Sequence, residues 1–184
     1  MKDLININGV ITPLEDAKIS ATDRGFLFAD NIFETLVAFD RKILNLKKHL
    51  ERLRISAENM QIPIPWSDEE LEFELKTMVE QNKHPKGFLR FVVTRGDGFG
   101  ISYDEEKIHP NKYIYSLPAK QDPDWVQQNG IALKKKKSKS TRRGPAVKTG
   151  NYLSSIVAIN KAKSEGYQDI FRIHRKTGGD HASS

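Results

Sequence analysis

The sequence predicts an α+β fold in two unequal parts, and three observations carry that reading. Asn8-Gly9 sits between two short apolar runs, Leu4 to Ile7 and Val10 to Thr12, and this dipeptide readily adopts the two positive φ angles of a tight hairpin. Leu46, Leu50, Leu53, Ala57 and Met60 then recur at three and four, which makes Lys47 to Met60 an amphipathic helix with one buried stripe. Runs rich in β-branched and aromatic residues return at Phe88 to Thr94 and Lys112 to Leu117, so strands and helices follow in mixed order rather than as a strict strand–helix–strand repeat.

Taken in order, the opening hairpin is followed by a second one, in which Ile32 to Phe39 meets Lys42 to Leu46 across Asp40-Arg41. The Lys47 helix stops at Pro63 and Pro65. Ser67 with Glu70 is a capping-box signature, and Leu71, Leu75, Met78 and Val79 give the next helix its apolar face as far as Asn82. The two later strands complete an N-terminal domain over residues 1–120, and QDPDW, residues 121–125, reads as the linker. Residues 126–184 form the remainder, with a strand at Ile131 to Lys137, a helix from Tyr152 to Ser164 closed by Gly166, and a strand at Gln168 to Ile173. One helix and two strands bury too little surface for an independent core, so this part is expected to be poorly ordered or aggregation-prone unless a partner chain completes it.

Composition sets the class. With 38% hydrophobic and 29% charged residues, the 184-residue chain has enough apolar surface to fold, which excludes disorder of the whole. No apolar run reaches the roughly 18–20 residues of a membrane span, and MKDLININGV lacks a signal-peptide pattern, which points to the cytoplasm. The absence of cysteine removes disulfides, thiolate metal sites and cysteine nucleophiles together. KKKKSKSTRR, residues 134–143, holds seven cations in ten positions. An anionic partner is one reading, but no aromatics are interleaved, and a solvated charged strand edge is the commoner case.

Most candidate chemistry fails on context. GDGFG, residues 96–100, follows a strand, but no helix opens behind it to hold a pyrophosphate, so it reads as a turn bordering a pocket. His49, His84, His109, His174 and His181 contain no i, i+4 pair. Ser154 and Ser155 lack the G-x-S-x-G setting of a hydrolase nucleophile. Lys148 is the exception. It follows Pro145, Ala146 and Val147 just ahead of a helix, where desolvation and the helix dipole both disfavour its protonated form. A neutral amine is what attack on a carbonyl requires, although single lysines before helices are common and an ordinary structural lysine competes with that reading.

The neighbours of Lys148 add a resemblance. VKTGNYLSSIVAINKAKSEGYQD is similar to the cofactor-lysine segment of the class IV (fold type IV) pyridoxal-phosphate enzymes, the group of branched-chain aminotransferases, D-amino-acid aminotransferases and aminodeoxychorismate lyases. DRGFLFADNIFETL resembles the family's D-R-G-x-x-x-G-D-G-x-F-E-T pattern, LKKHLERLRISAENMQI its H-x-x-R-L-x-x-S-A helix, and RFVVTRG a core strand. The resemblance implies a two-domain class IV aminotransferase-like fold with an intact N-terminal domain and a truncated C-terminal one. It implies that Lys148 is the lysine bonded to pyridoxal 5′-phosphate and the group that shuttles the proton, and that Arg52 grips the cofactor phosphate. Tyr152 would hydrogen-bond the cofactor's phenolic oxygen, and Phe33 would border the substrate pocket. The implied partners are an amino acid, a 2-keto acid and a second copy of the chain, with no nucleic acid and no membrane.

Two departures from the pattern matter. Asn31 stands where the G-D-G motif has its second glycine, and is expected to take up a backbone conformation that glycine adopts more easily. The family's carboxylate for the pyridine nitrogen falls by ungapped count on Asp180, in GDHASS, one methylene shorter than glutamate and four residues from the end. FRIHRK is also more basic than the strand it replaces, so the chain resembles an incomplete member. Three functions follow as expectations: amino transfer between an amino acid and a 2-keto acid, release of pyruvate by a lyase, or an inactive remnant. The missing R-x-H pair after RFVVTRG leans away from the D-amino-acid branch.

Overall fold

The computed structural model describes residues 3–82, 84, 86–119, 122–137, 147–173 and 180–182. It divides into two units, Met1–Ala119 with Val147–Gly150, and Lys120–Ala146 with Asn151–Ser184. The segment that carries Lys148 thus belongs to the first unit and not to the 126–184 block in which the sequence reading placed it.

The first unit is an antiparallel sheet covered by two helices. Strands β1 (Leu4–Ile7) and β2 (Val10–Pro13) form the expected hairpin, with Asn8 and Gly9 at φ 52° and 94°. The short helix α1 (Arg24–Phe28) is capped by Asp23, whose carboxylate accepts from the Gly25 amide. Strand β3 (Asn31–Phe39) turns through Asp40 and Arg41, both at positive φ, into β4 (Lys42–Ile43). The sequence reading carried β4 to Leu46. The strand stops early because Asn45, at φ 54°, redirects the chain into α2 (Leu46–Met60). Helix α3 (Asp68–Asn82) starts with the predicted box: the Ser67 amide donates to Glu70 at 2.7 Å, and the Glu70 amide donates to the Ser67 hydroxyl at 3.2 Å. Strands β5 (Lys86–Thr94) and β6 (Asn111–Pro118) complete the sheet, in the order β2-β1-β6-β5-β3-β4. Alternation along β3 sends Ile32, Leu36 and Ala38 into a core shared with Leu50 and Leu53 of α2 and Leu71 and Leu75 of α3.

In the second unit the expected linker is partly helical, since Asp124 and Trp125 open α4 (Asp124–Asn129); Gln121 lies outside the described residues. Strand β7 (Leu133–Lys137) begins two residues later than predicted. It pairs in parallel with β8 (Asp169–Ile173), and α5 (Leu153–Ser164) lies between them in sequence. A parallel pair needs such a crossover, and the sequence reading did not anticipate the pairing. Gly166 closes α5 as predicted, at φ 89°, with the Tyr167 amide donating back to the Ala162 carbonyl. Strand β9 (Asp180–Ala182), which was not predicted, pairs antiparallel with β8. Residues 138–143 of the basic run lie outside the described residues. Its first four lysines are on β7, the edge strand of the order β7-β8-β9. No helix among the described residues is long and apolar enough to cross a membrane.

Candidate functional site

Strand β4 pairs only with the far end of β3, so the edge of β3 near Asn31 to Phe33 is open to the segment 147–150. The Phe33 amide donates to the Lys148 carbonyl at 3.0 Å, Thr149 bridges Ile32, and the Gly150 amide donates to the Asn31 side-chain oxygen at 2.9 Å. Val147 packs against the core. Four consecutive residues are therefore fixed to one strand. Their lysine is half-buried, with Nζ 4.5 Å from the centroid of the Phe33 ring. No carboxylate pairs with Lys148 among the described residues. Lys112 makes the contrast: it is buried, but its Nζ is 2.6 Å from Glu74, which marks a structural ion pair. Of the apolar surroundings expected for Lys148, Val147 and the Phe33 ring are present, while Pro145 and Ala146 lie outside the described residues.

Phe33 is 2% exposed and carries a second cation, with Arg90 Cζ 4.0 Å from its ring centroid. Sequence reasoning missed Arg90. The available signal was its place in the outward phase of β5, where Leu89 and Phe91 alternate with it into the core.

Arg52 leaves α2 beside the buried stripe and forks onto Glu34. Its Nε donates to Oε1 at 2.6 Å and its Nη2 donates to Oε2. His49, one turn earlier on α2, donates Nδ1–H to the same carboxylate at 2.9 Å. Glu34 is 1% exposed, whereas the Arg52 side chain is 53% exposed, so a buried acid holds a solvent-facing base. The Glu34 bonds raise the Arg52 pKa, with burial acting the other way. Glu34 and His49 stand in the F-E-T and H-x-x-R-L motifs, but the sequence reading gave neither a role in the site. The signal for Glu34 was a charge in the inward phase of β3 between Ile32 and Leu36, which needs a buried partner.

The DRG corner frames this region. Asp23, 1% exposed, accepts from the Gly25 amide, the Thr94 and Tyr113 hydroxyls and the Asn111 amide group. Burial and the adjacent Asp23 push the Tyr113 hydroxyl well above its ordinary pKa. Asp30 lies between Arg24 and Arg95, at 2.9 and 2.8 Å. Arg24 donates to the carbonyls of Gly100 and Ile101, and Arg95 to those of Met60 and Gln61. GDGFG borders a cavity of about 200 Å³ that also includes Arg24, Arg95 and Tyr103, and the segment behind it forms only the short 3₁₀ turn Glu105–Lys107, as the pocket-turn reading required. The expected strain at Asn31 is absent. Ala29 takes the left-handed conformation instead, at φ 55°, and Asn31 starts β3 with its side chain bonded to Gly150.

The first unit thus offers an unpaired amine on an aromatic face and a guanidinium with three of its five N–H groups not used by Glu34. That donor set fits a ligand with a carbonyl and a phosphate. Tyr152 and Asp180 belong to the second unit, Tyr152 just ahead of α5 and Asp180 at the start of β9 opposite Ile173; the Asp180 side chain lies outside the described residues. Among the described residues no group of three or more His, Asp and Glu could hold a metal ion.

The family Amino-transferase class IV matches residues 31–177. A Methanocaldococcus jannaschii protein assigned as a branched-chain-amino-acid aminotransferase is 32% identical over 94% of this chain and 60% of its own length. The D-alanine aminotransferase of Listeria monocytogenes is 28% identical over 92% of this chain and 58% of its own, so the D-amino-acid branch is among the relatives despite the missing R-x-H pair. Among solved structures, the branched-chain amino acid aminotransferase of Escherichia coli superposes with a TM-score of 0.84 at 23% identity, covering 95% of this chain and 60% of that one. A hypothetical aminotransferase from Mycobacterium tuberculosis, in a form bound to α-ketoglutarate and PMP, gives 0.77 at 20% identity over 94% and 62%. This chain thus spans about 60% of the length of the relatives it matches. Class IV aminotransferases use pyridoxal phosphate. The match over residues 31–177 and the identity to the archaeal protein establish that this chain belongs to the class IV amino-transferases.

Proposed function

We propose that this chain serves amino transfer between an amino acid and a 2-keto acid with pyridoxal 5′-phosphate, and that Lys148 is the catalytic lysine. The observation that carries the reading is the Lys148 amine, free of any carboxylate among the described residues, held 4.5 Å over the Phe33 ring by a segment bonded to β3. When bound, the cofactor supplies an aldehyde and an electron-withdrawing ring. Lys148 Nζ takes the substrate α-proton and returns it on the other side of the exchange, a role that suits an amine without a competing acid. Arg52 holds the phosphate through the N–H groups that Glu34 leaves free. Phe33 forms the apolar wall beneath the amine and excludes water from it. Tyr152 is assigned to the phenolic oxygen and Asp180 to the ring nitrogen; the support for both is the resemblance of their surroundings to the family's motifs. Phe26, Phe99 and Ile101 are exposed on two segments tied together by Arg24, which supports assembly with a second copy.

The test is incubation of the purified chain with pyridoxal 5′-phosphate, reduction with borohydride and peptide mass mapping. The expected result is an adduct at Lys148 that is absent from Lys148→Ala. Absence of an adduct at Lys148 in the unmodified chain sinks the reading. Conversion of a 2-keto acid to an amino acid, measured in the same sample, then separates amino transfer from binding alone.

A further inference from the structure

We infer that Glu34, backed by His49, is a positioning residue that presents Arg52 to a phosphate; the inference rests on the cofactor reading above. Arg52 is more than half exposed, and a free arginine side chain on a helix surface loses considerable rotamer entropy on fixing a ligand. Here that freedom is already removed. Both of the donors on the Glu34 side are committed, and Nη2 also lies 3.4 Å from His49 Nδ1, which leaves the two Nη1 hydrogens without a partner among the described residues. Glu34 can do this because it is itself immobile: it is 1% exposed on β3, in full antiparallel register with β5 opposite Phe91. His49 Nδ1 lies 2.9 Å from Oε2, the carboxylate oxygen that also takes the Arg52 Nη2 donor, and adds a second restraint on the carboxylate.

The neighbouring residue gives the arrangement its point. Phe33 carries the Lys148 amine on its ring and the Lys148 carbonyl on its amide, so consecutive residues of β3 fix the two groups that would meet the aldehyde and the phosphate of one molecule. The two side chains leave the strand on opposite faces, and the 147–150 segment approaches along the strand edge. The rigid backbone between residues 33 and 34 then sets the separation of the two contacts. A carboxylate beside a phosphate site also repels the phosphate, and charge-neutralising variants would mix that repulsion with loss of position. A charge-preserving change separates them.

The experiment titrates the full chain with pyridoxal 5′-phosphate, with pyridoxal, which lacks the phosphate, and with inorganic phosphate. The aldehydes are followed by absorbance, and phosphate by phosphorus NMR line width. Glu34→Asp keeps the charge but shortens the reach. It should weaken the phosphorylated aldehyde and inorganic phosphate about tenfold, the scale of one lost bond to a charged group, and leave pyridoxal unchanged. In an Arg52→Ala background, Glu34→Asp should add no further loss. His49→Gln, at a position 21% exposed, should shift the same selectivity in the same direction, and it carries the test if Glu34→Asp does not fold. Equal weakening of both aldehydes, unchanged phosphate affinity, or a full effect of Glu34→Asp without Arg52 would overturn the positioning role. Phosphate binding by the unmodified chain without a Lys148 adduct would remove the cofactor reading alone, leaving the inference to be decided on phosphate. Binding of neither would overturn both.

Discussion

At the residue scale, the DRG corner concentrates more buried charge than the candidate amine does, and it makes the clearest prediction about pH. Burial raises the Asp30 pKa, but hydrogen bonds from Arg95 and Arg24 outweigh it and hold the carboxyl below its ordinary 3.8. A carboxyl lowered on folding contributes stability that is fully present above its unfolded pKa and is lost as pH falls through the folded value. The urea midpoint of the unmodified chain should therefore fall with acidification below the ordinary 3.8. Asp30→Asn, which leaves two buried arginines without a counter-charge, should be less stable at neutral pH yet flatter across that acidic window. Parallel slopes for the two proteins would contradict the assignment. Little of this was legible in advance. Asp23, Arg24 and Asp30 stood in a recognisable motif, but Arg95 joins them only because β5 pairs with β3, and that pairing is a long-range fact.

At the element scale, legibility followed the length of the signal. Helix α2 was readable because five apolar residues over four turns fix one face, and α3 because its capping box is local chemistry that the structure reproduces. Strand β4 was overextended because the competing left-handed turn at Asn45 leaves no mark in hydrophobic periodicity. The site was half legible: Lys148 and Phe33 were named and meet, whereas Glu34, His49 and Arg90 needed the sheet to show what each faces. The element least visible in the sequence is the strip 147–150 on the edge of β3, and Gly150 is where it can be broken. A Cβ there would stand 2.5 Å from the Asn31 oxygen that receives the Gly150 amide, and Asn31 is itself buried at the start of β3. Gly150→Ala should cost about 1–3 kcal/mol, the usual scale of overpacking. It should also lower the yield of borohydride-fixed adduct at Lys148, because the amine loses its fixed place over Phe33. A variant as stable and as reactive as the parent would show that the strip does not depend on this close approach.

At the scale of the whole molecule, the two units differ in what holds them together and in charge. The described core of the first unit gathers sixteen buried apolar residues from α2, α3, three strands and, at Ile62, the segment after α2, while that of the second consists of Ala158, Ala162 and Ile170. The first unit has 17 Lys and Arg against 19 Asp and Glu; the second has 13 against 5. The smaller core therefore also bears the larger self-repulsion, much of it on β7, where Lys135, Lys136 and Lys137 are exposed and only Lys134 has an acidic partner, Glu165, among the described residues. Repulsion between exposed charges is screened over about 10 Å at 0.1 M salt, whereas apolar burial is far less sensitive to such concentrations. Native-state hydrogen exchange should then show the α5 and β8 amides opening at lower free energy than those of β3 and β5. Raising salt from low to moderate concentration should increase protection in α5 and β8 and leave β3 and β5 nearly unchanged. An equal response in both units would mean that the excess charge is neutralised within the fold, and equal protection at low salt would mean that the three-residue core is not what limits the second unit.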